Sequence, residues 1–130
     1  MASERALFVA CGIAGALAVV LGAFGAHALR DHFANLPDGE ARRRLWETAS
    51  HYHLMHALAT GVAGYLSSKT AAAPAAGVAG VCFLAGILLF SGSLYAMALT
   101  GVRGLGAITP FGGLAFIAGW TAVAIAAWRL

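Results

Sequence analysis

Four apolar stretches fill this chain, and no Asp, Glu, Lys or Arg lies deep within any of them. At a helical rise of 1.5 Å per residue, about 20 residues cross the hydrocarbon core of a bilayer. The first stretch, Ala6 to Leu29, is long enough to cross with some tilt. In lipid every backbone N–H and C=O must find its partner within the protein, so such a run reads as a helix. Composition agrees. Hydrophobic residues make up 61% of the 130 positions and charged residues 10%, where a soluble domain carries about 25% charged residues. The formal charge of +3 comes from scattered arginines. That excludes the basic stripe by which a nucleic-acid partner is recognised.

The sequence therefore predicts an all-α fold with a single domain over residues 1–130. It is a four-helix transmembrane bundle, up-down-up-down, with spans at about 6–29, 48–67, 75–99 and 110–128. The opening run exceeds the roughly 7–15 apolar residues of a signal peptide and ends in a polar motif, so we expect a retained span. Ala14, Ala18, Gly22 and Ala26 recur every fourth residue. A small-residue stripe of this kind lets helices approach closely, which predicts that Gly22 packs against a neighbour. Cys11 and Cys82 lie in apolar runs and read as packing residues.

The one long polar segment is Arg30–Glu47. Pro37 and Asp38 signal a helix start with Asp38 as N-cap. Glu40–Trp46 then forms a short interfacial helix that runs on into the second span. Arg42, Arg43, Arg44 and Trp46 are its interfacial anchors, and Arg43 can pair with Glu47 four residues on. Farther along, Thr109 and Pro110 read as an N-cap followed by Pro at the first helical position.

Polarity gathers at one end of the expected bundle. His27 ends the first span, and Tyr52, His53 and His56 begin the second. Ser91, Ser93 and Tyr95 end the third, beside the start of the fourth. These seven residues are the candidate polar site, because uncompensated polar groups in hydrocarbon are costly and turn inward. Tyr52 and His56 share a helix face, as do Ser91 and Tyr95. His53 lies about 60° from His56, and His51 about 140° away. His51 is thus expected to face headgroups or another chain.

The motifs GAFGAHAL (22–29), W-x-T-A-x-x-Y-H-x-x-HALA (46–59), FSGSLYAMALTG (90–101) and ITPFGG with GW (108–113, 119–120) stand in this order along the chain. Together they resemble the small bacterial membrane proteins called domain of unknown function 423, related to vertebrate transmembrane protein 256. The matching positions are Gly22, Gly25, His27, Trp46, Tyr52, His56, Ser91, Gly92, Ser93, Tyr95, Pro110, Gly112 and Gly113. The resemblance implies a four-span protein of the bacterial inner membrane and assigns no activity. Its pattern accepts Gln at the place of His53, so it does not make His53 an obligatory ligand.

Three function classes remain. The first is a structural or accessory protein whose polar network fixes helix register, partnered by the lipid bilayer and by other membrane proteins or further copies of itself. The second binds a haem, a metal, or a quinone or lipid headgroup, with His27 and His56 as ligands from opposite sides. The third is transport of a small solute or proton. No catalytic motif is present: there is no HExxH, no paired carboxylates, and no nucleophile with a base at defined spacing. The first and third connections carry Arg30, Arg42, Arg43, Arg44 and Arg103. Arg5, Lys69 and Arg129 lie on the other side. The bias predicts cytoplasmic first and third connections.

Overall fold

A computed structural model describes residues 3–130. Six α-helices follow in order: α1 Glu4–Ala26, α2 Arg30–Ala34, α3 Gly39–Ser67, α4 Ala73–Gly86, α5 Gly92–Thr100 and α6 Thr109–Trp128. A π-helical turn, Ile87–Ser91, joins α4 to α5, and a 3₁₀ turn, Arg103–Ala107, precedes α6. No strand occurs among the described residues. Among the described residues, three helical stretches are long and apolar enough to cross a membrane: Glu4–Ala26, Ala73–Thr100 and Arg103–Trp128. The 29-residue α3 is not among them. Its residues 39–56 carry three arginines, two glutamates and three histidines.

The elements differ from expectation at their ends. Helix α1 stops at Ala26, and His27 is its exposed C-cap. The short helix of the first connection runs on into the second apolar stretch as expected, Glu40–Trp46 forming the opening turns of α3. Asp38 is the N-cap of α3 without a side-chain cap bond. Its carboxylate accepts from Arg42 Nε at 3.0 Å, because a guanidinium four residues on competes for the oxygens with the backbone N–H groups. Thr109 is the first residue of α6, not its cap; Ile108 takes that place, and Pro110 still lies in the first turn.

Helix α3 is the centre of the packing. Along α1 its contacts run in the opposite sense. A Cβ at Gly64 would meet Leu7 and Phe8, one at Gly61 would meet Cys11, and one at Gly22 would lie 3.1 Å from Ser50 Oγ. Helices α4 and α6 pair in the same manner, with Gly119 against Phe83, Gly86 against Phe116, and Gly112 against the backbone of Phe90. A core of Leu7, Ala59, Ala63, Ala79, Phe83, Phe116 and Ala122 joins both pairs. The outward faces stay apolar: Phe8, Val9, Ile13, Leu17 and Val20 of α1 and Phe111, Leu114 and Ile117 of α6 are all exposed.

The small-residue stripe of α1 is shifted from its expected position. Ala14 and Ala18 are buried, Gly22 meets Ser50, and Ala26 is exposed. The tightest approach is at Gly25, where an added Cβ would fall within the indole of Trp46. Trp46 is 4% exposed and donates from Nε1 to the Leu21 carbonyl at 2.9 Å. The expected headgroup anchor is thus a buried wedge between α1 and α3.

The first and third connections touch. Arg42 bonds Asp38 and donates from Nη1 to the Leu99 carbonyl at 3.3 Å. It lies over Gly101, the α5 C-cap at φ 72°, a left-handed conformation that glycine adopts without strain. Arg43 bonds Glu40 and Glu47, and Arg44 bonds Glu40.

Two predictions follow from this frame. Gly25→Ala should destabilise the protein in detergent by about 1–3 kcal/mol, the range for overpacking a tight contact. Gly22→Ala should cost less, since only the small Ser50 hydroxyl must move; thermal unfolding that ranks the two the other way removes the wedge. The second concerns pH. The Arg42 guanidinium bonded to Asp38 holds that carboxyl below its ordinary range, and Arg43 and then Arg44 do the same for Glu40. A depressed carboxylate stabilises the fold above its unfolded pKa, and that contribution fades as pH falls through the folded value. Tm should therefore drop on acidification below about pH 4, and less steeply in Asp38→Asn.

Candidate functional site

Three of the candidate polar residues form separate side-chain hydrogen bonds: His56 ties α3 to α6, His53 ties α3 to α5, and Ser93 ties α5 to the start of α6. His56 is 3% exposed and uses both ring nitrogens. Nδ1 lies 2.7 Å from the Tyr52 carbonyl, and Nε2 lies 3.2 Å from Trp120 Nε1. A carbonyl only accepts and an indole N–H only donates. His56 is thus the neutral tautomer with its proton on Nδ1. Its ring stacks on Phe116, with centroids 3.5 Å apart and planes 12° apart. Phe83 and Tyr52 complete an aromatic surround.

His53, about 60° round α3 from His56, has a partner of its own: its Nδ1 lies 3.2 Å from the Tyr95 hydroxyl. The Tyr95 ring packs on Trp46 with centroids 4.6 Å apart, so the wedge and the pair support each other. Ser93 bonds the Phe90 carbonyl at 2.9 Å and the Thr109 hydroxyl at 2.7 Å. The latter bond ties α5 to the start of α6. Tyr52 is half-exposed and packs on Phe90.

Two candidates stand apart. His27 is exposed at the end of α1 and makes no side-chain hydrogen bond among the described residues. Gly25 lies beside Trp46, and ten residues of helix separate Trp46 from His56, about 15 Å of rise. His27 and His56 are therefore too far apart along the bundle to ligate one iron or metal from opposite sides. Among the described residues no group of three or more His, Cys, Asp or Glu converges as a metal site. Ser91 is fully buried, and its hydroxyl has no partner. In α3 the buried Thr60 hydroxyl donates to the carbonyl four residues back, that of His56. The corresponding carbonyl for Ser91 is Ile87, which accepts instead from the Gly92 N–H across the π turn.

The open space lies elsewhere. A groove of about 720 Å³ runs between α1 and the first half of α3, with Arg30, Trp46, Ser50, His51 and Leu54 among its lining residues. Sequence reasoning missed this groove, the π turn and the role of Trp120. The GW pair at 119–120 was visible as a motif, but nothing in its spacing paired the indole with His56.

Residues 21–113 match the family model described as "Protein of unknown function (DUF423)". The chain belongs to this family. It is 43% identical over 122 residues to the UPF0382 membrane protein YwdK of Bacillus subtilis (strain 168), covering 93% of this chain and 95% of that one. A UPF0382 membrane protein of Staphylococcus epidermidis (strain ATCC 12228 / FDA PCI 1200) is 43% identical over 121 residues, 92% of this chain and 93% of its own. One from Staphylococcus aureus (strain bovine RF122 / ET3-1) is 40% identical over 128 residues, 95% and 96% of the two chains. No solved structure matches. The relatives are bacterial membrane proteins by name, and the family carries no assigned activity.

The pairs differ in what their removal should do. His56→Phe keeps the stack on Phe116 but strands the Trp120 N–H. It should cost about 1–2 kcal/mol, as for a hydrogen bond between membrane helices, measured as thermal unfolding in detergent. Ser91→Ala removes an unpartnered buried hydroxyl, so stability should hold or rise. A lower Tm for Ser91→Ala would reveal a partner for that oxygen.

Proposed function

We propose that this chain is a four-span, up-down-up-down bundle of the bacterial inner membrane, acting as a small structural or accessory subunit. In this reading α3 is the fourth span despite its polarity, because the other helices cover its polar face. Its histidines and tyrosines fix helix register instead of holding a ligand. The observation that carries the reading is His56, whose two ring nitrogens are both engaged by the protein itself. A ligating imidazole needs one nitrogen free for the metal or haem iron. The apolar outward faces of α1 and α6 fit lipid, and the touching first and third connections fit a shared side. The arginine bias supports a cytoplasmic location for that side.

The experiment is purification from the native membrane in mild detergent, with an absorption spectrum, metal analysis and sizing. Expected are a spectrum free of a Soret band, no stoichiometric metal, and migration within a larger assembly. A Soret band or bound metal that disappears in His56→Phe would sink the reading. Topology is tested by a single cysteine at the exposed Asn35, with Cys11 and Cys82 replaced by Ala. Labelling should come from the cytoplasmic side; labelling from outside reverses the orientation.

A further inference from the structure

We propose that the groove between α1 and the first half of α3 binds one anionic phospholipid, its phosphodiester against Arg30 and an acyl chain running towards Leu54. The inference rests on the bilayer placement proposed above. The groove volume of about 720 Å³ lies within the roughly 300–1,000 Å³ of small-molecule sites. Its floor exists because positions 22 and 25 are glycines, which leave the backbone of α1 and the Trp46 indole as one smooth wall.

The lining is graded along the helix axis. Arg43 and Glu47 stand at one end, Ser50 and His51 follow, and Leu54 comes last. From Arg43 to Leu54 is about 16 Å of helical rise. Charge at one end and apolar surface at the other match a molecule with a charged head and a hydrocarbon tail. A soluble anion would leave the apolar end empty.

The charge pattern selects the sign of the head. Arg43 is held by Glu40 and Glu47, so that cluster offers no free cation. Arg30 also lines the groove, is exposed, and has no carboxylate partner among the described residues. Asp31, its neighbour in sequence, does not line the groove. One unpaired guanidinium thus faces the site, which matches a singly charged phosphodiester. Guanidinium–phosphate contacts are charge-assisted and often bidentate, and basic pockets between membrane helices suit anionic headgroups.

The test is native mass spectrometry of the full chain released from detergent micelles containing phosphatidylglycerol or phosphatidylcholine of the same acyl chains. The wild type should retain one phosphatidylglycerol. Arg30→Gln should lower that retention about tenfold, as for loss of one charge-assisted contact. Arg44→Gln, outside the groove, should leave it unchanged. Ala26→Trp, which fills the groove from an exposed position, should abolish retention with thermal unfolding unaltered. Equal retention of the two lipids would overturn the proposal, as would equal losses in Arg30→Gln and Arg44→Gln. Displacement by glycerol 3-phosphate at the concentration of the lipid would also overturn it, by showing a soluble-anion site. These readouts do not depend on the orientation of the chain in the membrane, which the Asn35 labelling tests separately.

Discussion

A polar side chain surrounded by hydrocarbon must find its hydrogen-bond partner inside the protein, and the arrangement of this chain depends on that requirement. Helix α3 carries most of the polar groups in its first half, and it is the helix that the others surround. His56 reaches Trp120 on α6, His53 reaches Tyr95 on α5, and Trp46 reaches the Leu21 carbonyl on α1. Each bond joins α3 to a different neighbour. The polarity that keeps α3 from reading as an ordinary apolar span is thus the same polarity that fixes its place in the packing.

Close approach of the backbones makes these bonds possible. Lipid gives helices little hydrophobic reason to associate, so contact rests on shape and hydrogen bonding. Here the shape is glycine opposite an aromatic ring: Gly25 beneath Trp46, Gly86 beneath Phe116, Gly119 beneath Phe83. The π turn at Ile87–Ser91 belongs to the same geometry. It adds a residue where Phe90 crosses Gly112, re-aims the chain towards Ser93 and Tyr95, and leaves the Ser91 hydroxyl without its usual carbonyl. A π turn of this kind often marks a functional position.

The functional weight moves accordingly. His56, the ligand candidate on α3, is occupied by the Tyr52 carbonyl and Trp120, and His27 lies beyond the Gly25–Trp46 contact, itself about 15 Å of helical rise from His56. What remains open is the groove between α1 and α3, whose lining is charged at one end and apolar at the other. The two proposals thus divide the molecule, with the hydrogen-bonded helices as its scaffold and the groove as its lipid site.

How much of this was legible in the sequence depends on the range of each signal. The helices were legible, because a long run without charge has one way to satisfy its backbone in lipid. Burial of Ala14, Ala18, His53 and His56 followed from 3.6-residue spacing, which assigns a helix face from local order alone. Helix ends were less secure: Asp38 is the N-cap of α3 but gives its carboxylate to Arg42, and Thr109 lies inside α6 with its hydroxyl on Ser93. Partner choice was not legible at all. Trp120 meets His56 across 64 residues, and the groove arises where two helices diverge beside Gly22 and Gly25. The sequence by itself determined which residues are helical and which faces must be covered, since those follow from nearest-neighbour chemistry and solvent. Only the tertiary structure decided which polar group meets which, because that depends on how far apart the packed backbones stand.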